Sequence, residues 1–171
     1  ILKKIKENLE LRGIQDPNAG LKVPQYRTVV QFIFGGSREQ MRKLAFGNQM
    51  INENKDADNS MITREREIEN WAKDIYNFVA TKYGEENIAG FYVHLDELNP
   101  HIHCTLLPIQ ENKFRYKQIF AGKDKYEFSK KSRQLHDELA AVNAKYGLDR
   151  GSDIIETKAR HKTTEEYRRE L

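Results

Sequence analysis

Between Phe91 and Pro108 the chain reads FYVHLDELNPHIHCTLLP, two runs of aromatic, aliphatic and β-branched residues separated by an acidic segment that closes on Asn99-Pro100. Residues of the first kind favour extended backbone, while Asp, Asn and Pro favour turns. Ala89 to His94 and His101 to Leu107 are therefore expected to form two strands joined by a short acidic loop, Asp96 to Pro100. The same stretch holds three of the five histidines in the chain.

Side chains alternate faces along a strand, so His101 and His103 project to one side and Ile102 to the other. If the preceding strand pairs antiparallel with this one, His94 comes to lie beside the pair, and three neutral nitrogen donors converge on a point. Such a set holds one face of a metal ion and leaves positions open on the other. Asp96 and Glu97 sit in the loop above, where a carboxylate can be a fourth ligand, an acceptor that fixes an imidazole, or a general base. Glu97, three residues after His94, is the candidate catalytic carboxylate. A lone histidine on a half-buried strand is usually structural. Three of them with two carboxylates between point to a metal or to catalysis.

His94-Leu95-Asp96-Glu97-Leu98-Asn99-Pro100-His101-Ile102-His103 resembles the metal-binding motif of plasmid mobilisation relaxases of the Mob/Pre (MobV) family, a branch of the HUH endonucleases. In that motif the order is His, Leu, Asp, Glu, two variable residues, Pro, His, a hydrophobic residue, His. The likeness continues through Leu106-Leu107-Pro108. It extends backward over Lys82 to Ala89, and Arg160 to Arg169 is similar to a basic segment that ends the family's catalytic domain. Over the first sixty residues it is loose.

The resemblance implies an HUH-like fold and metal-dependent, site- and strand-specific nicking of DNA by transesterification at a plasmid or mobile-element transfer origin, the step that starts conjugative mobilisation. It implies single-stranded or hairpin origin DNA as partner, further transfer proteins, and a bacterial cytoplasmic location. His94, His101 and His103 would be the metal ligands. Imidazole donors suit Mn and later transition ions better than Mg, and Mn is the expected ion, with Mg or another divalent ion as alternatives. The family's nucleophile is a Tyr or, in this branch, a His in an N-terminal motif. No match to that motif is present: His136 falls mid-helix, His161 in the C-terminal basic segment, and Tyr92 reads as packing. The expectation is a relaxase domain without its extreme N-terminal nucleophile segment.

Length and composition fit one domain over 1–171. No apolar run reaches the roughly 18 to 20 residues of a membrane span. A charged fraction of 32% and a net charge of +3 describe a highly charged, mildly basic surface. The single cysteine, Cys104, excludes an internal disulfide and fits a reducing compartment. It is expected opposite the histidine face, as a small buried hydrophobe.

In chain order, Ile1 to Arg12 reads as a helix, Asp16 to Gly20 as a loop, and Tyr26 to Phe34 as a strand of the same sheet. Ser37 can cap a helix through Phe46, and Asn48 to Ser60 reads as a loop or mobile insertion. A long helix from Thr63 carries Ile68, Trp71, Ala72, Ile75, Phe78 and Val79 as its apolar stripe and ends before Gly84. Glu111-Asn112-Lys113 reads as a hairpin turn and Phe114 to Phe120 as a further strand. A helix from Lys125 to Tyr146 carries Phe128, Leu135, Leu139, Val142 and Tyr146, with His136 beside that stripe, and Thr163 with Glu166 has the signature of a capping box. The order predicts an α+β fold, one antiparallel sheet with the histidines on one face and helices mainly on the other.

Candidate DNA contacts are Lys22, Arg27, Arg115, Lys117, Arg160 and Lys162. Two other readings fit the residues: a nucleic-acid-binding sheet without catalysis, in which aromatics stack bases, and a metal-dependent phosphodiester hydrolase using a bound water. A two-His-x-Thr phosphoesterase is disfavoured, because His103-Cys104-Thr105 has no second copy.

Overall fold

The computed structural model describes residues 1–52, 54, 57–97, 99–152, 163 and 166. Its centre is a three-stranded antiparallel sheet of β1 (Val30–Phe34), β2 (Ile88–His94) and β3 (His101–Leu106), in the order β1-β3-β2. The histidine strand β3 is therefore the middle one, bonded on both sides. Its register sets Ile33 and Tyr92 on either side of His103, and His94 directly opposite His101. Alternation divides the faces as the pattern requires: Ile102, Cys104 and Leu106 are fully buried, while His101 and His103 point to the other side and remain partly accessible.

The buried face rests on α2 (Arg38–Phe46) and α3 (Arg66–Tyr83). Met41, Leu44 and Ala45 of the first helix, and Ile68, Trp71, Ile75 and Val79 of the second, join Phe34, Ile102, Cys104 and Leu106 in one core. The spacing of the α3 residues is the three-and-four repeat of one helix face. Ser37 caps α2, its Oγ accepting from the Gln40 amide at 3.3 Å. The helix α4 (Lys125–Asn143) leans on α3, and Trp71 Nε1 donates to Asn143 Oδ1 at 2.9 Å in the buried seam between them. At the far end of β3, α1 (Leu2–Leu11) closes a smaller cluster of Leu9, Ile14, Ala89, Leu107 and Ile109.

Several sequence expectations shift. The first strand begins at Val30, not Tyr26. Its last partner is Leu106, and Pro108, which has no amide hydrogen, stands just beyond, where the ladder would have to continue. The long helix begins at Arg66 instead of Thr63. Phe114 to Phe120 is not a strand. The turn Glu111-Asn112, both at positive φ, joins a two-residue β4 (Ile109–Gln110) to a two-residue β5 (Lys113–Phe114), and Lys117–Ala121 then winds into a π-helical turn. That winding places Tyr116 and Phe120 on one side, with the Phe120 ring centroid 5.2 Å from Tyr83 and 5.9 Å from Phe32. An apolar pair four apart serves a helical turn as readily as a strand, which is why pattern alone misplaces it. Phe128, expected on the apolar stripe of α4, is 50% exposed. His136, also in α4, is exposed. The capping box forms as expected: the Thr163 amide donates to Glu166 Oε2 at 2.7 Å and the Glu166 amide to Thr163 Oγ1 at 3.2 Å.

Candidate metal centre

The site is built by two strands and the loop between them. Because His94 and His101 are cross-strand partners, their rings stack, with centroids 5.1 Å apart and planes 7° from parallel. His103, two residues along β3, brings its ring centroid to 4.9 Å from His94 and 4.7 Å from His101. The loop then folds back over the strands. Glu97 Oε1 lies 3.4 Å from His94 Nδ1, and Glu97 Oε2 lies 4.0 Å from His101 Nε2. One donor atom each from His94, Glu97 and His101 all fall within 4.8 Å of one another. His103 joins this set through His101, their Nε2 atoms being 2.8 Å apart.

The tautomer of His101 is fixed by its surroundings. Its Nδ1 is 2.8 Å from the backbone carbonyl of Asn99, which can only accept, so Nδ1 carries the hydrogen and Nε2 presents a lone pair toward His103 and Glu97. Asn99 is itself tied down, its Nδ2 donating to the Gly36 carbonyl at 3.3 Å on the chain leaving β1. At 2.8 Å apart the two Nε2 atoms are near enough to be donors to one ion, since imidazole nitrogens bind such ions at about 2.0–2.1 Å. With an acidic oxygen beside them, the donor set suits a divalent transition ion better than Mg. Leu95, Asp96 and Glu97 also form one wall of a cleft of about 550 Å³, whose opposite wall is Arg42 and Phe46 of α2 with Asn52, Asn54 and Asn59. Part of the segment read as a mobile insertion thus lines the same cleft as the β2–β3 loop, and within it Asn59 clamps Asn52 through two hydrogen bonds of 3.0 Å.

The candidate DNA contacts are placed elsewhere. Arg27 Nη1 donates to Tyr116 Oη at 2.6 Å and its guanidinium lies 5.0 Å from that ring's centroid. With Lys117, Tyr26 and Phe114 it lines a groove of about 590 Å³. Arg27 precedes the β1 residue that pairs with Leu106, so this groove lies at the end of β3 away from His101, about 17 Å along a strand of that length. Arg115 pairs with Glu111 at 3.7 Å, and Lys22 is exposed in the loop before β1. Arg160 and Lys162 lie outside the described residues, as does His161. Cys104 is where the alternation put it, on the buried face, and burial pushes its thiol up to about 11. Tyr92, read as packing, lies on the histidine face with its ring laid against Gly90, and is 43% exposed. The Asn99 carbonyl escaped the sequence reading because a backbone acceptor leaves no residue signature, although Asn-Pro immediately before His is a turn that can present one.

A sequence model described as plasmid recombination enzyme (Mob_Pre) matches residues 4–169. The chain belongs to the plasmid recombination enzyme family. Among family proteins, the plasmid recombination enzyme of Streptococcus agalactiae is 32% identical over 95 residues, 56% of this chain and 18% of that protein. The plasmid recombination enzyme type 1 of Staphylococcus aureus is 34% identical over 106 residues, 61% of this chain and 25% of that protein. The chain thus spans a quarter or less of the length of these relatives. A MobM relaxase domain (MOBV; Mob_Pre) bound to a 26-nucleotide pMV158 oriT DNA superposes with a TM-score of 0.61 at 21% identity, over 95% of this chain and 78% of that one. A Mn-bound form of MobM with a 22-nucleotide oriT DNA at pH 5.5 gives 0.51 at 20% identity, over 99% and 92%. At these identities the likeness is one of fold. Among the described residues no helix is long and apolar enough to cross a membrane.

Proposed function

We propose that this chain forms the metal-binding part of a relaxase domain that nicks one strand of plasmid DNA at a transfer origin in the bacterial cytoplasm. The observation that carries the reading is the convergence of three imidazoles and one carboxylate on an exposed sheet face, with one ring's tautomer already set for ligation. His94, His101 and His103 would hold a divalent ion, a transition ion in preference to Mg by donor chemistry and Mn by analogy with the Mn-bound MobM structures, and Glu97 is placed to be a fourth ligand. Bound there, the ion supplies charge neutralisation and polarisation of a phosphodiester. The chain's own contribution is positional. β3, bonded on both sides, fixes two ligands, and the Asn99 carbonyl holds the His101 proton on the far nitrogen. Glu97, on the accessible side of the rings, can accept a proton from an incoming hydroxyl or imidazole when it is not ligating. The nucleophile is not assigned to a described residue: Tyr92 stands two residues before His94, but its ring turns back along the strand toward Gly90, away from the histidines.

The test is a Mn titration followed by electron paramagnetic resonance. The wild-type chain should take up one ion, His101→Ala should weaken uptake by at least about tenfold, and Glu97→Gln by less. Undiminished Mn affinity in His101→Ala would remove the histidines as ligands and the relaxase reading with them. In a protein that also carries a nucleophile, Glu97→Gln should cut nicking without lowering the melting temperature.

A further inference from the structure

The row of side chains next to the metal ligands is unlike the rest of the surface. On the exposed face, His103 is flanked across the sheet by Tyr92 of β2 and Ile33 of β1, which are 43% and 66% exposed. Large apolar groups rarely stand open on both sides of a polar residue unless something covers them. The tyrosine is also held in one attitude. A Cβ built at Gly90, two residues back on the same face, would lie 2.9 Å from Tyr92 Cε2 and 3.7 Å from Cδ2 and Thr105 Oγ1, so one ring edge fills the space that a side chain at position 90 would take. The ring is folded down along the strand over Gly90, whose cross-strand partner Thr105 is itself anchored to Gln31 at 2.9 Å.

We infer that Tyr92 is a stacking platform for a nucleobase of single-stranded DNA beside the metal centre, with Gly90 as the gap that lets its ring lie down and Ile33 as the apolar wall across His103. This rests on the reading that the histidine face takes DNA. The occupant follows from position. Residues i and i+2 stand about 7 Å apart on one face of a strand, so a phosphate held at His94 and His101 puts a neighbouring base within reach of Tyr92. An aromatic ring on an open sheet face meets any base by its π surface, without reading its identity. The ring's direction argues against Tyr92 as nucleophile, since its edge lies over Gly90, on the side of Tyr92 opposite His94. It also means that the contribution is apolar and carries no charge to the phosphates.

The test uses the chain with Mn and a short single-stranded oligothymidylate carrying one 2-aminopurine, read by anisotropy and by quenching of the modified base. Stacking predicts that Tyr92→Ala weakens binding by about tenfold and loses the quenching, that Tyr92→Phe keeps both, and that the dependence of affinity on salt has the same slope in all three, because no phosphate contact is removed. Gly90→Ala, which lifts the ring and leaves it in place chemically, should weaken binding as Tyr92→Ala does, with Mn affinity unchanged in every variant. Tyr92→Ala binding as tightly as wild type with quenching intact would overturn the platform and leave the DNA reading standing. Equal loss in Tyr92→Phe would overturn it in favour of a hydroxyl contact, and loss of Mn affinity in Tyr92→Ala would make the residue part of the metal site's support. No binding by the wild type would overturn the DNA reading and the platform together.

Discussion

Asn143→Ala removes the hydrogen-bond acceptor of the buried Trp71 indole. Trp71, fully buried at the centre of α3, donates its indole hydrogen to Asn143 Oδ1 at 2.9 Å, and Asn143 is itself 8% exposed. Removing the amide leaves a buried donor with no partner, which costs about 1–3 kcal/mol. Alanine returns about 0.5 kcal/mol through better helix propensity, for a net loss near 1.5 kcal/mol. In a chain of 171 residues each kcal/mol moves the melting temperature by about 2–4 °C, so the expected fall is about 3–6 °C. Trp71 is the only tryptophan, so its fluorescence reports unfolding from the site of the change. Trp71→Phe removes the donor, and in that background Asn143→Ala should cost less, with a coupling of about 1 kcal/mol. A melting temperature within about 1 °C of wild type for Asn143→Ala, or full additivity of the two changes, would refute the claim that this bond braces α4 against α3.

Two further outcomes test the packing and the surface charges. Cys104, buried with its thiol pushed up to about 11, should resist iodoacetamide at neutral pH in the folded chain and react promptly in denaturant; rapid labelling of the native chain would place it off the buried face. The Asp74 carboxyl is held below its ordinary value of 3.8 by hydrogen bonds from Lys145 and Tyr146. Its contribution is therefore present above that value and lost as pH falls through the lower, folded one. Melting curves from about pH 5 to about pH 3 should show wild type losing stability faster than Asp74→Asn; parallel curves would mean that the bonds do not hold in solution.

The convergence of the histidines was legible because the parts of the cluster are close in sequence. His94, Glu97, His101 and His103 lie within one hairpin, and strand alternation with a short turn is enough to gather them. The long helix was legible for a similar reason, its stripe from Ile68 to Val79 having a single period. What depended on distant partners was not. Tyr26 to Val29 have strand-forming residues but nothing to pair with beyond Leu106. Phe120 winds into a π-helical turn to reach Tyr83 and Phe32, far away in sequence. The role of Tyr92 turned on Gly90, since alternation tells which face a ring takes and only the missing side chain tells which way it lies. Arg27 and Lys117, picked out as candidate DNA contacts, are both exposed, but their gathering into a groove at the other end of β3 is a property of topology.

The strand order gives the histidine cluster two unequal halves. His101 and His103 sit on a ribbon whose neighbours grip it from both sides, and one ring is pinned again by Asn99 and Gly36. His94 ends an outer strand and Glu97 rides on the loop. The cluster is a vice with one jaw bolted to the bench: two of its nitrogens belong to a strand gripped on both sides, and the remaining donors ride on an outer strand and a loop. On the relaxase reading proposed above, a bound ion and its phosphate would be exchanged by moving a few loop residues while the core beneath stays still.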